Sequence, residues 1–203
     1  TIALDFTSGY APRRPPMLGH NAVASSQPLA AQAGMTMLQL GGNAVDAAIA
    51  TAMALTVVEP TGNGLGSEAF AIVWDGEKLH GLNASGRSPA SWHADLFAGK
   101  TAVPEIGWDA VTVPGAVSGW VALAERFGTL PLTTLAQPAI DYARNGFPVS
   151  PLIGHLWQRG YNKLKDQPGF SACFAPEGRA PRVGEIFRNP AQANSLELIA
   201  KTN

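Results

Sequence analysis

The stretch GGNAVDAAIATAMALTVVEPTGNGLGSEAF, residues 41–70, combines two patterns that decide the fold. Asn43 can cap a helix with Asp46 in its first turn, and the following run is apolar on nearly every side, as in a helix buried all round. A loop then alternates glycine with other residues: Gly62, Gly64 and Gly66. A strand-like run follows at once. The stretch therefore predicts a buried helix joined by a glycine loop to a central strand.

The rest of the chain surrounds this centre with helices. Two strand-like runs over residues 70–85 meet at Asp75 and Gly76, a pair typical of a hairpin turn. Apolar spacing and capping residues predict further helices over residues 28–40, 116–127, 133–145, 151–165 and from 190 onward. Pro138 either bends the start of its helix or marks its first turn. The prediction is α+β, with helices packed over a small antiparallel sheet in a single domain of residues 1–203 whose first 20 residues form an extended arm.

Composition excludes several classes of partner. Of the 203 residues, 46% are hydrophobic and 14% are charged, and the net charge is −1. That balance can build a core, but it offers no broad positive field for nucleic acid or an anionic membrane. The absence of a run of about 18 apolar residues predicts a soluble chain. Its compartment stays open between a bacterial-type cytoplasm and periplasm.

Cysteine and histidine usage gives no metal motif. The single Cys173 excludes an internal disulfide framework and a cysteine-rich zinc site, and we expect it to be a small buried or half-buried hydrophobe. The four histidines, His20, His80, His93 and His155, are too scattered for paired ligand spacing. We therefore predict no metal and no cofactor.

The glycine loop does not fit a phosphate site. A Walker loop needs a lysine followed by serine or threonine at the mouth of a helix, and the dinucleotide fingerprint lies between a strand and a helix in that order. Here the helix precedes the strand, and Glu68 adds negative charge. We interpret the three glycines as structural, because they allow a sharp turn where neighbouring strands pass close by.

Arg87, in LNASGRSPA, is the strongest candidate for substrate binding. Arginine is the side chain best suited to grip a carboxylate through two parallel hydrogen bonds. The competing interpretation is a solvated loop arginine or a structural ion pair. No G-x-S-x-G elbow is present, so we interpret four serines as loop and cap hydroxyls and not as hydrolase nucleophiles: Ser67, Ser85, Ser88 and Ser118. The chain offers no complete catalytic set.

Four blocks carry a resemblance to a known family. They are ASSQPLAAQAGMTMLQ joined to the opening stretch (24–70), TVPGAVSGWVALAERFGTLPL (112–132), AQPAIDYARNGFPVS (136–150) and GEIFRNP (184–190). In this order they resemble the large-subunit half of the gamma-glutamyltransferase (gamma-glutamyltranspeptidase) family, over residues 22–200. The resemblance implies a four-layer αββα sandwich of the N-terminal-nucleophile hydrolase type, made by a precursor that cleaves itself into large and small subunits.

The resemblance also implies the chemistry. In that family the first threonine of the small subunit attacks a gamma-glutamyl amide such as glutathione, its own amine assisting as base, and the acyl group passes to water or an amino acid. That threonine lies beyond residue 203, so we expect no catalytic residue in this chain, and Thr1, which precedes the matching blocks, is not the nucleophile. The implied partners are the small subunit, a small acyl-amide substrate and, as an open possibility, a second copy. The alternative is a degenerate, non-catalytic member that acts as a scaffold or binding subunit.

The sequence differs from the family pattern at the residue that binds the substrate carboxylate. Well-known transpeptidases hold the glutamyl carboxylate with a strand-end arginine four residues before a proline. Aligned on Pro89, that position is Ser85, and Arg87 stands two residues later. Both are therefore predicted substrate-binding residues. The shift, together with a less glycine-rich loop, favours the acylase-like branch.

Overall fold

The computed structural model describes residues 19–201. The predicted arm lies outside this part of the chain, except for Gly19 and His20, and so does Thr1. The α-helices of the described part are α1 (Pro28–Gln39), α2 (Ala44–Val58), α3 (Ala116–Phe127), α4 (Leu132–Asn145), α5 (Pro151–Leu164), α6 (Phe170–Phe174) and α7 (Pro190–Lys201). Its strands are β1 (Ala69–Trp74), β2 (Leu79–Ala84), β3 (Phe147–Pro148) and β4 (Ile186–Phe187). Short 3-10 turns cover Ala94–Phe97 and Trp108–Ala110.

Helix α2 is the centre of the core. It packs against α1, α3 and α4, and α4 in turn packs against α7. Its alanines let these neighbours approach closely, and its larger side chains, such as Ile49 and Met53, are almost completely buried. At the crossing with α1, a Cβ added to Gly34 would lie 2.3 Å from the Thr51 hydroxyl oxygen. Glycine at position 34 therefore sets the spacing of the two helices.

The hairpin β1–β2 covers one side of this helical layer. The strands are antiparallel, with Ala69 opposite Ala84 at one end and Trp74 opposite Leu79 at the turn. Its inner face packs on α3, where a Cβ on Gly119 would come within 2.9 Å of the Ala84 Cβ. Its outer face leaves four large apolar side chains exposed, by 61% to 79%: Phe70, Ile72, Trp74 and Leu79. This outer face is called the open face below.

The carboxyl-terminal half forms a smaller unit against the same core. Strands β3 and β4 pair antiparallel through Phe147 and Phe187, both buried. The Trp157 ring of α5 packs edge-on against Phe187, with ring centroids 4.7 Å apart. The hydrogen bond from Gln192 Nε2 to the Thr56 carbonyl, at 2.8 Å, joins α7 to the end of α2.

Most sequence expectations for these elements are confirmed, and two are corrected. The order of buried helix, glycine loop and hairpin is as predicted, and so is the turn at Asp75 and Gly76, where the Asp75 carboxylate accepts the main-chain N–H of Glu77 and Lys78. Cys173 is exposed, not buried, because the inward positions of α6 are taken by aromatic side chains. Pro138 lies inside α4, not in its first turn, because the helix already begins at Leu132.

None of the helices between residues 19 and 201 is long and apolar enough to cross a membrane.

Candidate active site

The candidate site lies where the two strands of the hairpin separate. Ala69 and Ala84 form the last pair of the hairpin. Beyond this pair, the segment 112–115, which precedes α3, lies between the end of β2 and the start of β1. Val113 N donates to the Arg87 carbonyl at 2.9 Å, and the N–H groups of Gly115 and Ala116 donate to the Ser67 carbonyl at 3.2 and 2.9 Å. The last two contacts also satisfy N–H groups that a helix start leaves without a partner. One segment therefore holds both strand ends.

Two glycines make this insertion possible. A Cβ on Gly86 would lie 2.0 Å from the Val113 carbonyl oxygen, and Gly86 has a φ of +77°, a region that side chains disfavour. A Cβ on Gly115 would lie 2.1 Å from the Ala84 carbonyl oxygen. The closest backbone approach near the hairpin is thus at these two positions. The segment around Arg87 is held by backbone packing that no other residue type permits.

The backbone of Arg87 is part of this packed segment, whereas its side chain extends from it. It is exposed, and its guanidinium has no hydrogen bond or ion pair with any residue from 19 to 201. Ser85 is half-buried, and its main-chain N–H donates to Asn83 Oδ1 at 3.0 Å. Residues two apart in a strand share a face, but β2 ends at Ala84 and Gly86 has positive φ, so this rule does not apply to Ser85 and Arg87. The structure brings both residues to the strand end, and their role in binding stays a prediction.

Glu68 and Thr112 lie at the same end of the hairpin, beside the start of β1. The Thr112 hydroxyl donates to Glu68 Oε1 at 3.3 Å, which links the inserted segment to the start of β1 by side chains as well as by backbone. Apart from the turn signal of Pro114 and Gly115, the sequence gives no indication of this arrangement. A local pattern of residue types cannot predict contacts between segments that are 26 or more residues apart in the sequence.

The glycine loop is open on its outer side. Apart from each glycine and its two chain neighbours, no atom of residues 19–201 lies within 4 Å of a Cβ added to Gly62 or Gly66, and the nearest to one on Gly64 is the Ser67 hydroxyl at 3.5 Å. Close approach to these glycines is therefore not made by this part of the chain. Approach by other polypeptide stays a prediction. A cavity of about 300 Å³ next to the loop is lined by residues of α2, β1 and α3.

The Gly-Gly-Asn block that precedes α2 has a structural role. Asn43 and Asp46 form a reciprocal cap, and the Asp46 side chain, fully buried, also accepts the Thr129 hydroxyl at 2.5 Å and the N–H groups of Thr129 and Leu130. Burial raises the pKa of the Asp46 carboxyl, but these hydrogen bonds outweigh burial and hold the pKa below its ordinary value. A buried anion thus ties the start of α2 to the connection between α3 and α4.

The architecture defines a class of protein: it is the α+β fold of the N-terminal-nucleophile hydrolase type, with helices on one side of a hairpin whose other side is not covered by residues 19–201. The family model for gamma-glutamyltranspeptidase matches residues 30–203, and the chain belongs to that family.

Individual relatives agree with this assignment. The chain is 41% identical, over 182 residues, to a glutathione hydrolase-like proenzyme of Bacillus subtilis, covering 88% of this chain and 35% of that protein. Among solved structures it is similar to cephalosporin acylase from Bacillus halodurans, with a TM-score of 0.83 and 47% identity, covering 95% of this chain and 39% of that one. Helicobacter pylori gamma-glutamyltranspeptidase matches with a TM-score of 0.85 and 28% identity, covering 91% and 56%. The chain spans about a third of the length of the curated relatives it matches.

Proposed function

We propose that residues 1–203 are a single domain, the amino-terminal part of the large subunit of an enzyme that hydrolyses or transfers gamma-glutamyl or similar acyl groups from amides such as glutathione. Family membership supports the reaction class, and relatives named as hydrolases and acylases favour an enzyme over a scaffold. The observation that carries the proposal is Arg87, a cation without a partner among residues 19–201, held at the strand end by Val113.

The nucleophile in this proposal is the amino-terminal threonine of a small subunit. Its hydroxyl oxygen attacks the amide carbonyl while its own amine takes the proton, and the protonated amine then gives the proton to the leaving nitrogen. Water or an acceptor amine next attacks the acyl ester and releases the threonine. In this scheme the described chain provides substrate binding and support.

The open face supports the proposed partner. Phe70, Ile72 and Trp74 are large apolar side chains that line one side of β1, and a two-stranded sheet exposed on that side is marginal in water. A second sheet contributed by the small subunit would cover them and complete a sandwich in which two sheets pack face to face. The threonine would then lie between the sheets, near the strand end that carries Arg87.

Arg87 favours a donor with a carboxylate. A guanidinium can hold that group by two charge-assisted hydrogen bonds, whether the donor is a gamma-glutamyl amide or a dicarboxylic monoamide without the amino group. The chain is similar both to a protein named as glutathione hydrolase-like and to one named as cephalosporin acylase. We therefore propose the carboxylate, and not the amino group, as the common recognition element.

The test uses the full-length, processed enzyme. Parent, Arg87→Ala and Ser85→Ala proteins are assayed with gamma-glutamyl and glutaryl p-nitroanilides, and with butyryl p-nitroanilide as a donor that has no carboxylate. Arg87→Ala should lower kcat/KM for the two acidic donors by about 30-fold to 1,000-fold, or 2–4 kcal/mol, and leave the neutral donor unchanged. Arg182→Gln, at another exposed arginine, is the control. Equal kcat/KM for acidic donors in parent and Arg87→Ala would remove Arg87 from the site.

A further inference from the structure

A cavity of about 460 Å³ lies between α5, α6 and the residues that start the glycine loop. Three positions on one side of α5, Leu156, Gly160 and Leu164, form its apolar floor, because residues four apart lie on the same helix face. Phe170 and Phe174 of α6 form a wall. This volume is within the range of small-molecule sites, which are mostly apolar with a few polar groups.

Contacts within the chain hold the walls of the cavity in place. The Phe170 and Phe174 rings contact each other with centroids 5.6 Å apart, and Trp157 Nε1 donates to the Phe174 carbonyl at 2.9 Å, which fixes α6 against α5. Gly160 keeps the floor clear, since no described atom lies within 4 Å of a Cβ added there. A larger residue at position 160 would point into the empty volume.

The rim of the cavity is cationic. Arg159 is exposed and has no hydrogen bond or ion pair with any part of the chain from residue 19 to residue 201. One turn later Lys163 lines the same rim and donates to Glu105 Oε2 at 2.8 Å. None of the described residues that line the cavity is acidic. An apolar, aromatic cavity with an unpaired guanidinium at its mouth is complementary to a molecule with an apolar body and one negative group.

We propose that this cavity binds an amphipathic carboxylate, with an aryl or branched alkyl body between Phe170, Phe174 and the α5 floor and with its carboxylate at Arg159. The site uses none of the residues at the hairpin end, so it does not depend on the reaction proposed above. Charge complementarity distinguishes this occupant from an apolar peptide segment, which would leave Arg159 without an anion.

The test measures binding to the full-length protein by calorimetry. The probes are 4-phenylbutyrate and its neutral analogue 4-phenyl-1-butanol, which share the apolar body and differ in the charge. We expect the carboxylate to bind at least about tenfold more tightly than the alcohol, and Arg159→Gln to remove that difference. Arg182→Gln, at an exposed arginine outside the cavity, should bind both probes as the parent does.

Two further variants test the location. Gly160→Ala and Gly160→Leu place increasing volume on the floor and replace a helix-disfavouring residue, so the fold and the melting temperature should be retained. The dissociation constant of 4-phenylbutyrate should rise in that order, by at least about tenfold for leucine. Undiminished binding in Gly160→Leu would place the ligand elsewhere. Failure of 4-phenylbutyrate to bind the parent, as when other polypeptide fills the cavity, or equal affinity for both probes, would overturn the proposal.

Discussion

Replacing Asp46 by asparagine should strongly destabilise the protein while keeping the side-chain volume. In the parent, one carboxylate oxygen accepts the Asn43 N–H at 2.8 Å and the Thr129 hydroxyl at 2.5 Å, and the other accepts the N–H groups of Thr129 and Leu130 at 3.0 and 3.3 Å. An amide can keep the first pair, but its NH₂ group then faces two donors. The variant leaves the Leu130 N–H without this acceptor, and the Thr129 N–H keeps only its longer contact with the retained oxygen, at 3.2 Å.

The magnitude follows from these lost contacts. Hydrogen bonds to a charged group contribute about 1.5–3 kcal/mol each, so the loss of the Leu130 bond and the weakening of the Thr129 bond amount to about 2–4 kcal/mol. That is a large fraction of the 5–15 kcal/mol by which domains are usually stable. Thr129→Val, which removes only the hydroxyl donor to Asp46, should cost about 1–2 kcal/mol.

Urea unfolding of the full-length protein, followed by tryptophan fluorescence, measures both effects. The control is Asp141→Asn, because Asp141 is an exposed carboxylate whose partner, Gln137, is on the same helix turn. Its midpoint should change by less than the equivalent of about 0.5 kcal/mol. A midpoint for Asp46→Asn that is equally close to the parent would refute the claim that the buried carboxylate holds the α3–α4 connection.

The pH dependence provides a second check on Asp46. Its folded-state pKa lies below the ordinary value, so its ionised form stabilises the folded protein above the unfolded pKa of about 3.9. This contribution is lost as pH falls through the lower, folded-state pKa. The difference in stability between the parent and Asp46→Asn should therefore be constant from pH 6 to pH 5 and shrink below pH 4. A difference that stays constant to pH 3 would contradict this assignment.

Three other predictions concern the hairpin and its loop. Gly86→Ala should lower the melting temperature and the yield of folded protein, because its Cβ would lie 2.0 Å from the Val113 carbonyl oxygen. Gly62→Ala should have little effect, and equal melting temperatures for the two variants would contradict this prediction. Ile72→Asp, which places a charge on the open face, should reduce the recovery of small subunit with purified large subunit, and unchanged recovery on gel filtration would argue against coverage of that face. Gly66→Val should impair self-cleavage although no atom within residues 19–201 would clash, and normal processing and stability would exclude close approach by other polypeptide.

Much of the fold follows from local sequence. Asn43 and Asp46 predict the cap of α2, Asp75 and Gly76 predict the hairpin turn, and both are present because these residues satisfy nearby backbone groups. The position of Pro138 was harder to predict, since α4 begins earlier, at Leu132, where it buries an additional apolar residue. Tertiary packing, not the proline, sets the start of that helix.

The candidate site was only partly predictable. Arg87 was identified from its residue type and from the strand before it, and the structure places it at the strand end without a partner among the described residues. The alternating pattern favours close approach at Gly62, Gly64 and Gly66, yet the closest backbone approach occurs at Gly86 and Gly115. These two meet only because residues far apart in sequence come together, and no local pattern encodes that contact.

The bond between Val113 N and the Arg87 carbonyl has an evolutionary consequence. Residues 88–111 form an excursion between Arg87 and the segment 112–113 that returns to the hairpin, so this polypeptide can lengthen, shorten or change composition while its ends stay fixed. Exchange of this excursion among homologues would alter the surroundings of the guanidinium without disturbing strand register. A change in the length of this excursion should therefore cost little free energy.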